Sequence, residues 1–207
     1  MIETLIVPGL NGSPPGHWQH HWALEDAGAD LVEQENFAEP RLTDWLHALE
    51  AGIAACRPGV ILVAHSLGCA LVAALARRPA ASHVGGALLV APADVPALSE
   101  RHPSVRSFEG AGAVPLPFAS ILVASRNDPF MGFEAAERQA EAWGSALVDL
   151  GPAGHVNIAS GYGFWPDAPT LADGLRGRPV TPAQTPRRRW ARDIRSEAAP
   201  AAGASAH

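Results

Sequence analysis

Residues 4–175 alternate between short apolar runs and longer stretches of helical periodicity. The runs are rich in Val, Ile, Leu and Ala, as buried strands of a parallel sheet are. The pattern predicts strands at 4–8, 31–34, 60–64, 84–91, 121–124 and 146–150, and helices at 17–27, 42–55, 67–77, 133–143 and 168–175. This alternation indicates an α/β fold in which helices cover both faces of a mainly parallel sheet of about six strands.

Residues 92–118 interrupt the alternation. Pro and Gly recur through this segment, and its apolar positions have only a weak period. We expect a long loop over the carboxyl edge of the sheet, where such loops often shape a pocket.

The end of the chain differs in composition from the rest. Residues 177–207 are rich in Pro, Ala and Arg and carry a formal charge of +4, whereas residues 1–176 carry −10. We predict one domain over 1–176 and a disordered tail over 177–207. The acidic domain argues against nucleic-acid binding through the folded body, because phosphate contacts need a basic face. The tail could contact an acidic partner or nucleic acid, but its composition favours a solvated segment with no identified partner.

The composition favours a compact protein that is not in a membrane. Hydrophobic residues make up 47% of the chain, enough for a sizeable core. We predict neither a membrane span nor a signal peptide, because no apolar run is long enough and no basic stretch leads into one. Cys56 and Cys69 fall in apolar helical patterns typical of buried thiols, and we predict a cytoplasmic protein.

The segment 60–75 contains the strongest chemical signal: an apolar strand, a turn at Ser66 and a helix rich in Ala and Leu. A strand-to-helix elbow needs small residues two positions before and after its nucleophile, since the two backbones approach closely there. Ala64 and Gly68 occupy these positions, so the chain reads AHSLG where the familiar pattern is GxSxG. We predict Ser66 as a nucleophile, with the N–H of Leu67 as an oxyanion donor. The alternative is a serine that only caps the helix.

A serine nucleophile needs a histidine base and a carboxylate that orients the histidine. Asp128 follows the strand 121–124 in the sequence SRNDP, and His155 follows the strand 146–150 in GPAGHVN. Each could alone be an ordinary loop residue. Because Ser66, Asp128 and His155 occur in the order this chemistry takes on a parallel sheet, each after a separate strand, we predict that they form a triad.

The remaining histidines are weaker candidates. His65 adjoins Ser66, and we expect it to point to the opposite side of the elbow and to pack or bond locally. His17 and His21 have the spacing of a shared helix face. No HExxH glutamate and no third ligand accompanies them, so we predict no metal site.

The loop 8–16, PGLNGSPPG, follows the first strand and can supply the second oxyanion donor. The N–H of Leu10 or Asn11 is the candidate, and we favour Leu10. The loop lacks the GxxxxGK(S/T) pattern and any lysine, which argues against a phosphate site. Candidate pocket residues are Asn11, Trp18, Phe130, Met131 and Trp165, although aromatic residues at such positions more often pack in the core.

With these residues assembled, the chain resembles small serine hydrolases of the α/β-hydrolase superfamily. Within that superfamily it resembles the group that includes retinoblastoma-binding protein nine and the bacterial YdeN-type proteins. The resemblance rests on IVPGLNGSPPGHW, AHSLG, SRNDP, GPAGHVN and SGYGFWP, which span about residues 4–167. It implies an α/β-hydrolase fold without a large cap domain, the Ser66–Asp128–His155 triad, no metal or organic cofactor, and hydrolysis of a small ester or amide.

Two other functions stay open on the sequence alone. An interaction protein could keep the hydrolase scaffold with weak or vestigial activity, and an acyltransferase would use the same triad with an acceptor other than water.

Overall fold

A computed structural model describes residues 2–112 and 114–176, so the predicted tail 177–207 lies outside the described residues. The described chain forms one sheet in the order β2-β1-β3-β4-β5-β6, and each neighbouring pair is parallel. The strands are β1 Thr4–Val7, β2 Ala29–Leu31, β3 Val60–His65, β4 Val84–Val90, β5 Ala119–Ala124 and β6 Ala146–Asp149. The predicted α/β class with a parallel sheet is confirmed.

Helices cover both faces of this sheet. They are α1 Trp18–Glu25, α2 Leu42–Ala55, α3 Leu67–Leu75, α4 Val95–Arg101, α5 Phe133–Trp143 and α6 Asp167–Asp173. Alternate strand residues enter different apolar clusters: Leu5 and Val7 belong to the cluster that also contains residues of α2, α3 and α5, whereas Ile6 belongs to the cluster that contains residues of α1 and α6. Burial on both faces explains why the strands form continuous apolar runs in the sequence.

The segment 92–118 is more ordered than its sequence suggested. It contains α4 and a 3₁₀ helix at Pro103–Phe108, and Asp94 caps α4 by accepting a hydrogen bond from the Ala97 N–H at 3.2 Å. Leu98 and Phe108 are buried in the core. The prediction of an irregular loop is wrong for this part, because proline is compatible with the first turn of a helix and here lies in the first turn of both helices.

The edge strand β2 begins earlier than the predicted 31–34. The Asp26 side chain accepts the Gly28 N–H at 2.8 Å, and the Ala29 N–H donates to the Asp26 carbonyl at 2.9 Å. This turn directs Ala29 straight into pairing with Thr4 of β1. The strand boundary is therefore set by a side-chain hydrogen bond rather than by the apolar pattern.

The order of the strands creates a crevice at the carboxyl edge of the sheet. From β1 the chain moves to β2 on one side, and it then crosses to β3 on the other side of β1. The loops that follow β1 and β3 therefore diverge, which is the position where α/β sheets bind ligands. Gly9 follows β1 there and Ser66 follows β3. No helix in the described ranges is long and apolar enough to cross a bilayer.

Candidate active site

Ser66 lies at the sharp turn between β3 and α3. Its backbone has φ 54° and ψ −122°, a strained conformation for a residue other than glycine. A methyl group added at Gly68 would collide with the carbonyl oxygens of Val7 and Pro8, which explains why a residue without a side chain is needed there. The sequence signal for a strand–turn–helix elbow is confirmed as local structure.

The structure brings Ser66, Asp128 and His155 together. The Ser66 Oγ lies 2.9 Å from the His155 Nε2, and the His155 Nδ1 lies 3.0 and 2.9 Å from the two carboxylate oxygens of Asp128. A carboxylate can only accept hydrogen bonds, so the Nδ1 donates to it and the Nε2 is left to accept the Ser66 hydroxyl proton. This is the geometry of a nucleophile, a base and a residue that orients the base.

The imidazole and the carboxylate are shielded from water. The side chains of His155 and Asp128 are 7% and 3% exposed. The Phe130 ring lies 4.4 Å from the His155 ring between centroids, and the Phe130 N–H donates to Asp128 Oδ1 at 2.8 Å. Low exposure strengthens the interaction between the imidazole and the carboxylate.

The loops that carry Asp128 and His155 are joined by side-chain hydrogen bonds. The Ser125 hydroxyl donates to Asn127 Oδ1 at 2.9 Å and accepts the Ala153 N–H at 3.0 Å. The same Asn127 oxygen accepts the Gly154 N–H at 2.7 Å. Serine and asparagine of the SRNDP run thus hold the turn that leads to the histidine, a role that our sequence reasoning did not assign to them.

On its other side, the histidine loop is held from within. The His155 N–H donates to the Ser160 Oγ at 3.0 Å, and the Ser160 hydroxyl donates to Asn157 Oδ1 at 3.0 Å. In the sequence, these two hydrogen bonds are indicated only by Asn157 and Ser160 following the histidine at short spacing.

His65 contacts the histidine loop directly. Its Nε2 lies 2.8 Å from the carbonyl oxygen of His155, and the two rings are 4.9 Å apart between centroids. We predicted that His65 packs or bonds locally. It does pack, against the rings of His17 and Trp18, but a local hydrogen bond is wrong, because its hydrogen bond spans 90 residues. Next to it, the Trp18 Nε1 donates to the carbonyl oxygen of Val156 at 2.9 Å.

Two imidazoles near His155 are kept neutral by burial. His17 caps α1, where its Nδ1 accepts the Gln19 N–H at 3.2 Å. Burial, and then the proximity of His155, lower the pKa of His17 to about 4. Burial also lowers the pKa of His65 well below its usual value. Both rings therefore lie near His155 without adding a positive charge at neutral pH.

A buried amide lies beneath the crevice. The Gln19 Nε2 donates to the carbonyl oxygens of Val63 at 2.9 Å and Val7 at 3.3 Å, and its Oε1 accepts the Ser13 hydroxyl at 2.6 Å. Gln19 thereby connects α1 and the loop 8–16 to the ends of β1 and β3. In the sequence, Gln19 reads as an ordinary polar residue of a helix.

The loop after β1 packs against the elbow. A Cβ added at Gly9 would lie 2.9 Å from the Ser66 Cβ and 3.1 Å from the Leu67 nitrogen. The Asn11 N–H already donates to the Phe37 carbonyl at 2.9 Å, whereas the Leu10 N–H has no backbone acceptor within residues 2–112 and 114–176. Of the two N–H groups considered from the sequence, that of Leu10 is the one left for a ligand.

Residues 4–173 match the model of the Serine hydrolase family. The chain belongs to this family. It is 31% identical to a YdeN-like protein of Pectobacterium atrosepticum, whose crystal structure superposes with a TM-score of 0.73 over 84% of this chain and 92% of the other. The predicted resemblance to YdeN-type proteins and the α/β-hydrolase fold are confirmed.

Other similar proteins are more distant. YdeN of Bacillus subtilis is 26% identical over 168 residues, which cover 77% of this chain and 88% of YdeN. Its crystal structure superposes with a TM-score of 0.67 at 22% identity, over 86% of this chain and all of the other. Esterase 2 of Thermogutta terrifontis shares the fold, with a TM-score of 0.61 at 18% identity over 84% of this chain and 82% of the esterase.

The predicted pocket residues of this serine hydrolase differ in exposure. Asn11 is exposed and Phe130 is half-buried beside His155. Trp18, Met131 and Trp165 are 2%, 8% and 8% exposed, so only an edge of each could contact a ligand. Their part in a pocket stays a prediction. His17 and His21 face different rings, those of His65 and Phe164, and no group in the described part of the chain is arranged to hold a metal ion.

Proposed function

We propose that this protein hydrolyses a small carboxylic ester or amide through an acyl-enzyme formed on Ser66. The observation that carries the proposal is the continuous hydrogen-bonded path from Ser66 Oγ through His155 to the Asp128 carboxylate, with distances of 2.9 Å on both sides of the ring. A serine hydroxyl is a weak nucleophile at neutral pH unless a positioned base removes its proton.

In the first half of the reaction, the Ser66 oxygen forms a bond to the substrate carbonyl carbon and its proton moves to His155 Nε2. The imidazolium that forms lies against the Asp128 carboxylate, which stabilises its charge. The tetrahedral intermediate then collapses. The proton passes from Nε2 to the leaving oxygen or nitrogen, and the acyl group stays on Ser66.

Water resolves the acyl-enzyme by the same steps in reverse. His155 Nε2 takes a proton from the water molecule as the water oxygen bonds to the acyl carbon. The proton returns to the Ser66 oxygen when the acid product leaves.

The oxyanion of each intermediate would be held by two backbone N–H groups. The Leu67 N–H is the first of α3 and has no partner within its own helix. The Leu10 N–H lies on the adjacent loop, and it is the one of the two candidates to which the described residues offer no backbone acceptor. Losing one such donor typically costs about 100- to 1000-fold in turnover.

The fold neighbours suggest probes rather than a natural substrate. Esterase 2 of Thermogutta terrifontis has been observed with butyrate bound and in a form phosphonylated by sarin. A short p-nitrophenyl ester and a fluorophosphonate are therefore suitable first reagents for this chain.

The proposal is tested by labelling and turnover in parallel. We expect a fluorophosphonate to label the full-length protein once, with the mass adduct on Ser66, and p-nitrophenyl acetate or butyrate to be hydrolysed. Ser66→Ala and His155→Ala should each remove turnover, while Ser82→Ala, at an exposed serine, should retain it. Full labelling of Ser66→Ala would exclude Ser66 as the nucleophile.

The same experiment separates the other two functions. Acyl release that requires an added alcohol or amine would identify an acyltransferase. No turnover of a broad ester and amide panel, together with a stable protein partner, would favour an interaction protein. An acyl-chain series from acetate to octanoate, with matched anilides, then defines the substrate class.

A further inference from the structure

We propose that His65 and Trp18 are positioning residues for the base. They hold the loop of His155 by donating hydrogen bonds to two consecutive main-chain carbonyls, and we call this pair of contacts the carbonyl clamp. The proposal rests on the proposed role of His155 in the reaction.

The order of the strands explains why the loop of His155 needs these contacts. His155 follows β6, which lies three strands away from β3 and the nucleophile. Neighbouring strands are about 4.8 Å apart, so the loop must run back over about 14 Å to bring the imidazole to Ser66. A loop that leaves its own strand by this distance needs contacts at the far end.

The two donors of the clamp come from that far end. His65 ends β3 and places its Nε2 at 2.8 Å from the His155 carbonyl oxygen, and Trp18 begins α1 and places its Nε1 at 2.9 Å from the Val156 carbonyl oxygen. A carbonyl oxygen only accepts, so both ring nitrogens donate. His65 and Trp18 are 6% and 2% exposed, and water therefore competes little for these bonds. Their rings contact edge to face at 6.0 Å between centroids.

The backbone that the clamp holds is strained. Val156 has φ +50°, a conformation that β-branched residues rarely adopt, and its side chain is fully buried. Such a residue persists where the surrounding structure over-determines it. The hydrogen bond from Trp18 to the Val156 carbonyl is one of the contacts that hold Val156 in this conformation.

His65 also closes a ring of contacts around the reacting atoms. It is covalently joined to Ser66, the Ser66 Oγ reaches His155 Nε2 at 2.9 Å, and the His155 carbonyl returns to the His65 ring at 2.8 Å. The distance between Ser66 Oγ and the His155 ring is thus fixed by two contacts, one to the side chain of His155 and one to its main chain. Misplacing a reacting group by 1 Å can cost about 100-fold in rate.

The clamp is separate from the contacts that hold the other part of this loop. Ser125 and Asn127 bond to the N–H groups of Ala153 and Gly154, on the β5 side. Loss of the clamp would leave those bonds in place and free the loop only where it meets β3 and α1. We therefore expect a defect in positioning rather than a global loss of the fold.

Three variants and a matched control test the proposal in the full-length protein. His65→Leu and Trp18→Phe each remove one donor, and His65→Gln keeps a donor on a flexible side chain. Trp143→Phe is the control, because the Nε1 of this buried residue donates to the Gly112 carbonyl at 3.0 Å near the end of α5. All four proteins are compared for kcat and KM on p-nitrophenyl acetate and for thermal unfolding.

We expect kcat to fall by about 10- to 100-fold in His65→Leu and Trp18→Phe, with KM unchanged. His65→Gln should recover part of kcat, and Trp143→Phe should keep it despite a similar loss of thermal stability. Equal kcat values in His65→Leu, Trp18→Phe and the parent would overturn the proposal. A loss of kcat in Trp143→Phe as large as that in Trp18→Phe would overturn it too.

A second readout does not depend on turnover. The His155 Nδ1 proton, which lies between the ring and the Asp128 carboxylate, can be followed by NMR in the parent and in each variant. We expect its resonance to broaden or disappear in His65→Leu and to persist in Trp143→Phe. If the parent hydrolyses no ester, the proposed function fails, while an unchanged resonance in His65→Leu would separately refute the clamp.

Discussion

Gly9 lies where the loop after β1 passes Ser66. A Cβ at this position would be 2.8 Å from the His65 carbonyl oxygen and 2.9 Å from the Ser66 Cβ. Both are too close for any real contact, and neither neighbour is the flexible end of a long side chain. The approach of the two backbones, rather than a need for an unusual φ, therefore explains this glycine.

We predict that Gly9→Ala displaces the loop that carries the Leu10 N–H, or the elbow itself. Turnover of p-nitrophenyl acetate should fall by about 100-fold, and the free energy of unfolding should fall by about 1–3 kcal/mol. Gly132→Ala is the matched control, because Gly132 has φ −62° and open space around its Cβ position. Full activity in Gly9→Ala would contradict the close approach.

At the scale of the element, α1 begins with an unusual cap. The His17 Nδ1 accepts the Gln19 N–H, and a ring nitrogen can accept only when it is unprotonated. The pKa of His17 is about 4 in the folded chain, against 6.5 for an unperturbed histidine. Between these values the unfolded chain binds a proton that the folded chain does not, so stability falls as the pH decreases from 6.5 to 4.

We predict that His17→Asn weakens this pH dependence. Asparagine keeps an N-cap acceptor and does not titrate. One pKa unit corresponds to about 1.4 kcal/mol, so the histidine accounts for a loss of about 3 kcal/mol at the acid end of this range. Urea unfolding of both proteins at pH 7 and pH 4.5 measures the difference. The same loss of stability in the variant as in the parent would show that another group is responsible.

Helices and strands that are buried along their whole length could be predicted, because their sequences are continuous apolar segments. The strand Val60–His65 and the helix Leu67–Leu75 are apolar throughout because both are buried, and the turn between them needs Gly68. The helix Val95–Arg101 was missed because Pro96 was taken as a sign of a loop, whereas proline is compatible with the first turn of a helix. Chain order likewise allowed Ser66 and His155 to be placed at one edge of the sheet.

The supporting residues of the site could not be predicted in this way. His65 and His155 are 90 residues apart, and their contact depends on how far the loop after β6 runs back across the sheet. Gln19 reads as an ordinary polar helix residue, yet it is fully buried between β1 and β3. Hydrogen bonds between distant segments leave no periodicity in a sequence, so these roles follow only from the three-dimensional structure.

At the scale of the whole molecule, the described fold is closed by contacts between its two ends. The Arg176 guanidinium donates to Thr4 Oγ1 at 2.9 Å and lies 3.7 Å from Glu3 Oε2. Leu175, at 2% exposure, packs in the cluster that contains Ile6 and Ile61. The first strand and the last described helix therefore contribute to the same apolar cluster on one face of the sheet.

This closure leads to a prediction about the basic tail. A chain that ends at Arg176 keeps every contact described above, while its formal charge becomes −10 instead of −6. We expect the same melting temperature and the same kcat/KM on p-nitrophenyl acetate as in the full-length protein. Thermal unfolding and turnover, each at low and high salt, measure this.

A second full-length protein, with Arg187→Gln, Arg188→Gln and Arg189→Gln, separates the effect of charge from that of length. Residues 1–176 have nine arginines against nineteen acidic residues. If repulsion among these acidic residues lowers the melting temperature or changes kcat/KM, the change should appear in both altered proteins and should vanish at high salt. A lower melting temperature that persists in salt, in the shortened chain only, would instead mean that residues 177–207 pack on the domain. The domain boundary predicted at 176 would then be wrong.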